Sequence, residues 1–336
     1  MANIRDIAAS CKLSVATVSK ALNGYSDVNE VTRARVLDAA KRLGYFPNAQ
    51  ARSLKTSRSY QLGVLFIDEN NNGLTQYFFA KVLNSFKMEA ERLGYHITFI
   101  TKKLGNAELS YLQSCRHIGV EGVCLACIDF DQPEVTELDN SGLPLVSIDY
   151  ILKNSPAILS DNRNDMASMV RYVSEHGHKR IAFVHGPPSR VTSERLRGFN
   201  DAMKEIGNTI YPELMVESPY TDAKKAFDAV TRLLQLEDRP TCIFLPDDSC
   251  SFGAIEAINK FGLRFPEDVS LVGYDGIRFT QMMSPNLTTM RQDAEGIGMA
   301  AARALINNIE APEHKHKTPV IVSGQLLPGG SVSKIN

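Results

Sequence analysis

From Gln61 onward, short apolar runs alternate with amphipathic stretches, and this alternation limits the fold more than any other feature of the chain. The runs QLGVLFID, YHITFI, GVCLAC, PLVSID, RIAFVHG, TCIFLP and VSLVGYD have the length and composition of buried strands. Segments such as AKVLNSFKMEAERLG and DMASMVRYVSEHG have the composition of helices and lie between them. Parallel neighbours need a crossover between them, so the pattern implies α/β architecture: doubly wound parallel sheets covered by helices on both faces. About 275 residues exceed what one such core holds and suit two lobes. Ligands of such sheets bind beyond the carboxyl ends of the strands. The runs close there on polar residues: Asp68, Asp149, Asp247 and Asp275.

The first sixty residues have a different character. The formal net charge of −1 hides ten Lys/Arg against four Asp/Glu in residues 1–60 (+6) and a remainder at −7. A basic head on an acidic body points to a module that binds a polyanion. Within this head Ile4, Ile7, Ala8 and Cys11 form one helical stripe, with Asn3 as N-cap and Asp6 in the first turn. A short turn leads to a second helix capped by Ser14. At 100° per residue, Thr17, Val18, Ala21 and Leu22 share one arc of it, facing helix one. Val15, Ala16, Ser19, Lys20 and Asn23 share the other. That second arc is small, hydrogen-bonding and singly basic, which suits close approach to a DNA groove. Asn23-Gly24 ends the helix. A third helix carries Val36, Ala39, Ala40 and Leu43 as its apolar stripe, with Gly44 as its stop. Three short helices with a tight turn between the first two make a helix-turn-helix head.

IRDIAASCKLSVATVSKALNG followed by VTRARVLDAAKRLGYFPNAQARSLKT resembles the DNA-binding head of the lac and purine repressor (LacI/GalR) family. The body resembles the effector domain of the same family through QYFFAKVLNSFKMEAERLGY, SDNRNDMASMVRYVSEHGHKRIAFVHGP, ERLRGFNDAM, FPEDVSLVGYDG and LTTMRQD. The resemblance implies a transcriptional regulator, acting as a repressor and a homodimer on a pseudo-palindromic double-stranded DNA operator, with a small effector, a sugar or sugar derivative, bound between two lobes. It implies a head over residues 1–47, a hinge helix and linker over 48–60, and a two-lobed body of the periplasmic sugar-binding type over 61–336. The first lobe would comprise about 61–161 and 291–322, the second about 162–290 and 323–336. Val15, Ala16 and Lys20 are implied at base edges, and Ser14, Thr17, Ser19, Asn23 and Tyr45 near phosphates. NAQARSLKT is implied as a minor-groove hinge helix, with Leu54 wedged between base pairs beside Ala51 and Lys55. In the body, Arg195 and Asp275 are implied to bind polar groups of the effector. Asp247 stands where an Asn or Asp often binds it, Asp149 closes a strand at the cleft, and Phe78, Phe79 and Tyr150 occupy aromatic wall positions. The chain departs from the family at Gln76-Tyr77, where Asn-Pro is usual, in the loop GPPSRVTSE and in the tail LLPGGSVSKIN.

Other classes fit less well. There is no Walker loop, HExxH or GxSxG, and the adjacent Asp247-Asp248 carboxylates need not converge, so no enzymatic role is expected. No apolar run approaches the roughly 20 residues that span a bilayer, and MANIRDIAAS has no signal-peptide pattern, so a cytoplasmic protein without membrane contact is expected. Six scattered cysteines, with one CxxC at Cys124 and Cys127, read as structural thiols. EHKHK at 313–317 reads as a solvated loop, so neither metal nor cofactor is expected. Two alternatives keep the body's fold: a sugar-binding protein without a regulatory role, which the basic head opposes, and a regulator controlled by a phosphorylated protein partner.

Overall fold

Three helices, α1 (Ile4–Cys11), α2 (Val15–Leu22) and α3 (Glu30–Arg42), make up the N-terminal unit of the computed structural model. The structure describes residues 2–45, 58–67, 73–314 and 317–335, and the chain divides into two units, Met1–Ser59 and Tyr60–Asn336. Each helix of the first unit starts on a side-chain cap. Asn3 accepts from the amides of Arg5 and Asp6 while Asp6 accepts from the Asn3 amide at 2.7 Å, a reciprocal capping box. Ser14 and Asn29 cap α2 and α3 through the amides of Thr17 and Thr32. The core is small: Ile7, Ala8 and Cys11 of α1 meet Val18 and Ala21 of α2 and Val36, Ala39 and Ala40 of α3. Leu43, expected on that stripe, is 40% exposed instead. It is the C-cap of α3, and the chain turns away at Gly44, whose φ of +62° ends the helical register.

The second unit holds two six-stranded sheets. The first contains β1 (Gln61–Phe66), β2 (His96–Phe99), β5 (Gly122–Ala126), β6 (Leu145–Ile148), β7 (Ala157–Ser160) and β13 (Val320–Val322), in the order β13-β7-β6-β5-β1-β2, all parallel. A two-stranded hairpin, β3 (Lys103–Leu104) with β4 (Ala107–Glu108), stands apart. Helices α4 (Tyr77–Arg92) and α11 (Ala294–Glu310) cover one face, burying Val82, Phe86, Ile297 and Leu305 against Val64 and Val146. Helices α5 (Tyr111–Ile118) and α6 (Pro133–Asn140) cover the other, with Leu112, Cys115 and Leu138 against Leu65 and Val123. Both faces of the inner strands β1, β5 and β6 are therefore apolar, which is why these read as unbroken runs in the sequence. Gly298 permits α11 to lie against α4, since a Cβ there would overlap the Val82 carbonyl.

The second sheet contains β8 (Ile181–His185), β9 (Met215–Glu217), β10 (Cys242–Phe244), β11 (Ser270–Tyr274), β12 (Thr288–Arg291) and β14 (Gln325–Leu327), in the order β14-β12-β11-β10-β8-β9. Only β14 runs antiparallel to its neighbour. Helices α7 (Asn162–Glu175) and α8 (Arg190–Glu205) pack Met169 and Phe199 on one face, against Phe183, Phe244 and Val272. Helices α9 (Ala223–Leu234) and α10 (Ser251–Lys260) cover the other, over Val184, Ile243 and Leu271. The chain passes between the lobes three times: from β7 to α7, from β12 to α11, and from β13 to β14. The first and third passages are tied together, the Asp161 amide donating to the Val322 carbonyl at 3.0 Å. This is the two-lobed α/β body that the strand–helix alternation implied.

Glu89 joins the two covering helices of the first lobe. Its carboxylate accepts from Arg92 at 2.7 and 2.8 Å on α4 and from Arg303 at 2.6 Å on α11. These bonds, Arg92 first and then Arg303, lower its pKa from 4.5 to about 2. A lowered carboxylate pKa stabilises the fold above the unfolded value, and the contribution is lost as pH falls through the folded one. Glu89→Gln is therefore expected to lower the melting temperature at neutral pH and to flatten its fall between about pH 4.5 and pH 2, measured by calorimetry across that range.

Candidate functional sites

The two arcs of α2 separate as the wheel implied. Val18 and Ala21 are buried, while Val15, Ala16, Lys20 and Asn23 are exposed and Thr17 and Ser19 half-buried. Val15 leaves 43% of its surface in solvent although apolar residues beside it are in the core. Several polar groups of this face already have partners. The Ser14 hydroxyl accepts from the Thr17 amide at 3.0 Å and hydrogen-bonds the Thr17 hydroxyl at 2.8 Å. The Asn23 amide group donates to the Ser19 carbonyl at 2.5 Å. Lys20, the one basic residue of the arc, forms an ion pair with Asp27. That hydrogen bond raises the lysine pKa and lowers the aspartate's. Both side chains are about half exposed, so the pair is weak and exchangeable. Tyr45 is half-buried against the core of the head. Ala51, Leu54, Lys55 and Asp68 lie outside the described residues.

The second unit contains a cavity of about 530 Å³ at the carboxyl ends of strands from both sheets. Segments following β1, β5, β6, β8, β9, β11 and β12 reach it, together with the first turn of α4. Of the six non-glycine residues with positive φ among the described residues, Cys127, Asp149, Thr221 and Asp275 line it, with φ between 53° and 99°. Such conformations cost on the order of 1–3 kcal/mol each, and they concentrate where a binding site needs side chains aimed off the strand axis.

Phe78 and Phe79 enter the wall from the start of α4, where Gln76 caps the helix through the Phe79 amide at 2.8 Å. Gln76 thus fills the place of the expected Asn-Pro with a side-chain cap of its own. Phe78 is buried and shares the first lobe's core, while Phe79 packs edge-on to Phe66 and Phe78. Tyr150 stacks on Phe130, ring centroids 4.2 Å apart and planes within 3°.

Arg195 on α8 is almost wholly buried. Its guanidinium lies 3.5 Å from the centre of the Tyr274 ring, and its Nε and Nη1 donate to Asn162 Oδ1 at 2.8 Å and the Pro246 carbonyl at 2.9 Å. It was expected as a ligand contact. It is also an internal tie between α7, α8 and the end of β10. Asp275 accepts from Gln292 Nε2 at 2.7 Å, and burial pushes its pKa up to about 6 against the pull of Arg195. Asp149 accepts from the Ser160 amide and hydroxyl at 2.6 and 3.1 Å, and burial raises its pKa as well.

Asp247 departs from expectation. It does not line the cavity: its carboxylate is buried and accepts from the amides of Thr221, Ser249 and Cys250 at 2.6, 2.8 and 3.2 Å. The turn that begins the short helical segment after β10 needs a cap, and Asp247 fills that role, holding Thr221 at the wall. Its neighbour Asp248 is equally internal, accepting from Ile277, Thr280 and Thr289. Cys127 proves to line the cavity, whereas Cys115 and Cys124 are core thiols that burial pushes up to about 11 and about 12.

Sequence reasoning missed several lining residues: Asp129, Phe130 and Asp131 after β5, Arg190 at the start of α8, Tyr220 after β9, and Gln292 after β12. The signal for the first three was present, because CIDFDQP follows a recognised strand. Gln292 and Tyr220 follow strands too short to stand out. Tyr220 lies against the backbone of Gly186, where any Cβ would overlap its ring.

Comparison with known proteins places both units. Residues 3–48 match the model of the lacI family of bacterial regulatory proteins, and residues 170–332 that of the periplasmic binding protein-like domain. The chain is 32% identical over 326 residues to the HTH-type transcriptional repressor PurR of Aliivibrio fischeri (strain MJ11), covering 94% of each chain. It is 30% identical over 341 residues to the PurR of Vibrio vulnificus (strain CMCP6), covering 100% of both. Among solved structures it resembles the lac repressor dimer bound to operator and the anti-inducer ONPF, with TM-score 0.84, 23% identity and 99% of each chain covered. The transcriptional regulator CelR in complex with cellobiose gives TM-score 0.72 at 24% identity, covering 98% of this chain and 100% of that one.

Proposed function

We propose that this chain, which belongs to the lacI family of bacterial regulatory proteins, is a DNA-binding transcriptional repressor whose operator affinity is set by a small effector held in the cleft of its body. The observation that carries the reading is the pairing of two sites in one chain: a helix whose outward face is exposed, small and basic, and a cavity with strained strand-end carboxylates around a buried arginine. A ligand acts on DNA affinity only through its different affinity for two states of the body. A cleft between lobes linked by three chain passages provides such states, open and closed.

In this reading Val15, Ala16 and Lys20 meet base edges, with Lys20 leaving Asp27 as it docks. Ser14, Thr17, Ser19, Asn23 and Tyr45 lie near phosphates, and the 48–60 segment orders on the minor groove with Leu54 as wedge. The effector is a sugar or sugar derivative. Arg195 and Asp275 hold its polar groups, with Asp149 beneath and Phe79 and Tyr150 against its apolar face. Cellobiose in the structural relative CelR is of that class. Asp247 acts at one remove, through Thr221. Among the described residues no helix is long and apolar enough to cross a membrane.

The experiment is to compare DNA binding by the full chain with that of residues 61–336, and by wild type with Lys20→Ala. Truncation is expected to abolish sequence-specific binding. Lys20→Ala should relax preference at one operator position by roughly 1–3 kcal/mol. An equal loss on all sequences would make Lys20 a phosphate contact.

A further inference from the structure

Very little chain joins the lobes. Asp161 alone separates β7 from α7, Gln292 and Asp293 separate β12 from α11, and Ser323 and Gly324 separate β13 from β14. The third of these passages is gripped from the side of the second lobe. Asp165, in the first turn of α7, is buried, and its two carboxylate oxygens accept from the Gly324 amide at 3.1 and 3.0 Å. Only glycine fits so close: a Cβ on Gly324 would lie 2.7 Å from Asp165 Oδ2 and 2.8 Å from Met290 Sδ. Ser323 is held as well, its hydroxyl donating to Asp161 Oδ2 at 3.3 Å.

The same carboxylate reaches the cleft wall through two neighbours. The Tyr274 hydroxyl favours the ionised form of Asp165 and donates to Asn162 Oδ1 at 3.4 Å. Asn162 Oδ1 also accepts from Arg195 Nε, and Arg195 lies on the Tyr274 ring and lines the cavity. One hydroxyl proton thus stands between Asp165 and the group that holds Arg195 in place. Lifting the third passage off Asp165 changes how that proton is shared, and with it the hold on Arg195.

Resting on the two-state reading of the body above, but not on the nature of the effector, we propose that Asp165 is a positioning residue for lobe movement, a clasp that seats the third passage through the Gly324 amide and ties that seating, through Tyr274 and Asn162, to the arginine of the cleft. The clasp carries a charge that it holds away from water. Burial raises the Asp165 pKa from 3.8 to about 6 against the pull of the Gly324 amide; Asp161 on its own helix adds to the rise, and Arg195 from α8 and Tyr274 from the end of β11 oppose it. From β12 and the third passage come Met290 and Gly324, while Arg291 is bonded to Gln325. Protons favour the state in which the group has the higher pKa. The seated, dry arrangement is therefore stabilised below about pH 6 and loses that stabilisation as pH rises through it, when a lifted passage lets water reach the charge.

The chain contains no tryptophan, so Phe79→Trp places a single reporter in the cavity wall of the full-length protein. Acrylamide quenching of that residue reads the openness of the cleft. Hydrogen exchange of a peptide spanning residues 320–327, corrected for its intrinsic rate, reads the passage. Both are expected to rise together from pH 5 to pH 8, the open-to-closed ratio growing roughly fivefold or more. Asp165→Asn stays neutral and keeps an acceptor for the Gly324 amide, so it should remove most of the rise in both; Asp149 and Asp275, which burial also raises, set the remainder. Gly324→Ala changes no titratable group and should open the cleft at pH 5 to the level of the wild type at pH 8. A pH-dependent quenching that Asp165→Asn leaves unchanged, exchange at the passage that moves without the quenching, or wild-type quenching in Gly324→Ala at pH 5 would overturn the clasp and leave the effector reading intact. Quenching that responds neither to pH nor to either variant would mean one fixed arrangement of the lobes, and would overturn the two-state reading together with the clasp.

Discussion

Arg195→Ala is expected to unfold at markedly lower urea than wild type and to lose its effector response, not merely to empty a ligand contact. The side chain is buried, lies on the Tyr274 ring and holds Asn162 and the Pro246 carbonyl. Its charge also opposes the rise that burial imposes on Asp275 and, after the Ser160 hydrogen bonds, the rise it imposes on Asp149. Removing one partner from a buried charge cluster costs about 3–5 kcal/mol. The deficit should depend on pH with a definite sign. Asp275 has a folded pKa raised from 3.8 to about 6, so its contribution is full at low pH and is lost as pH rises through that window. Without the arginine the window extends upward, and the variant should lose more at pH 8 than at pH 5. Equal urea midpoints for variant and wild type at pH 8 would show that the cluster does not depend on Arg195.

Phe279→Asp is expected to turn the protein into a monomer and to weaken operator binding by about two to four orders of magnitude. Phe279 is 65% and Met282 75% exposed, and Phe279 packs edge-on to the partly exposed Phe252 at 5.7 Å. An apolar cluster of this kind on a soluble surface marks an association site. If a second copy covers it, two heads are tethered to one body pair, and a two-fold operator is bound with an avidity gain on the order of 10²–10⁴ over one head. Because Phe279 is largely solvated, the substitution should leave the melting temperature of the monomer near that of wild type, whereas it places a charge in the contact. Sedimentation and gel shift measure the two effects together. A variant that stays dimeric would move the interface elsewhere, for instance to the exposed Met88 of α4.

The seven long apolar runs all form strands, six of them because a strand buried on both faces is apolar throughout, while β2 is an edge strand partly in solvent. The strands that sequence reasoning did not single out are β7, β9, β12, β13, β14 and the β3–β4 hairpin. Several are three residues long or less, and β13 is half in solvent, so propensity alone could not mark them. They matter for the site, since Gln292 follows β12 and Tyr220 follows β9. The strand-end rule reached Asp149 and Asp275, which line the cavity, and would have reached Asp129 had it been applied to GVCLACID. It set Asp247 beside them, where the carboxylate caps the next turn, because sequence does not distinguish an amide of the protein from a hydroxyl of a ligand. On α2, periodicity separated the inner arc from the outer one. It could not reveal that Asp27, seven residues from Lys20, holds that ammonium.

The three passages between the lobes have a consequence for how the chain matures on the ribosome. Neither lobe is a continuous piece of sequence. When synthesis reaches residue 290, Val82 and Phe86 still lack the cover that Ile297 and Leu305 bring. The first sheet gains its edge strand at Val320–Val322 and the second at Gln325–Leu327. Ser331 then closes the second sheet, its carbonyl accepting from the Leu271 amide at 3.0 Å and its hydroxyl from the Thr288 amide at 2.7 Å. The lobes therefore finish nearly together, once residues 320–331 have been made, while the three helices of the head pack within residues 4–45. A nascent chain can display a finished DNA-binding face before it has a cleft to govern it, and until then the half-made body leaves one face of its first sheet incompletely covered.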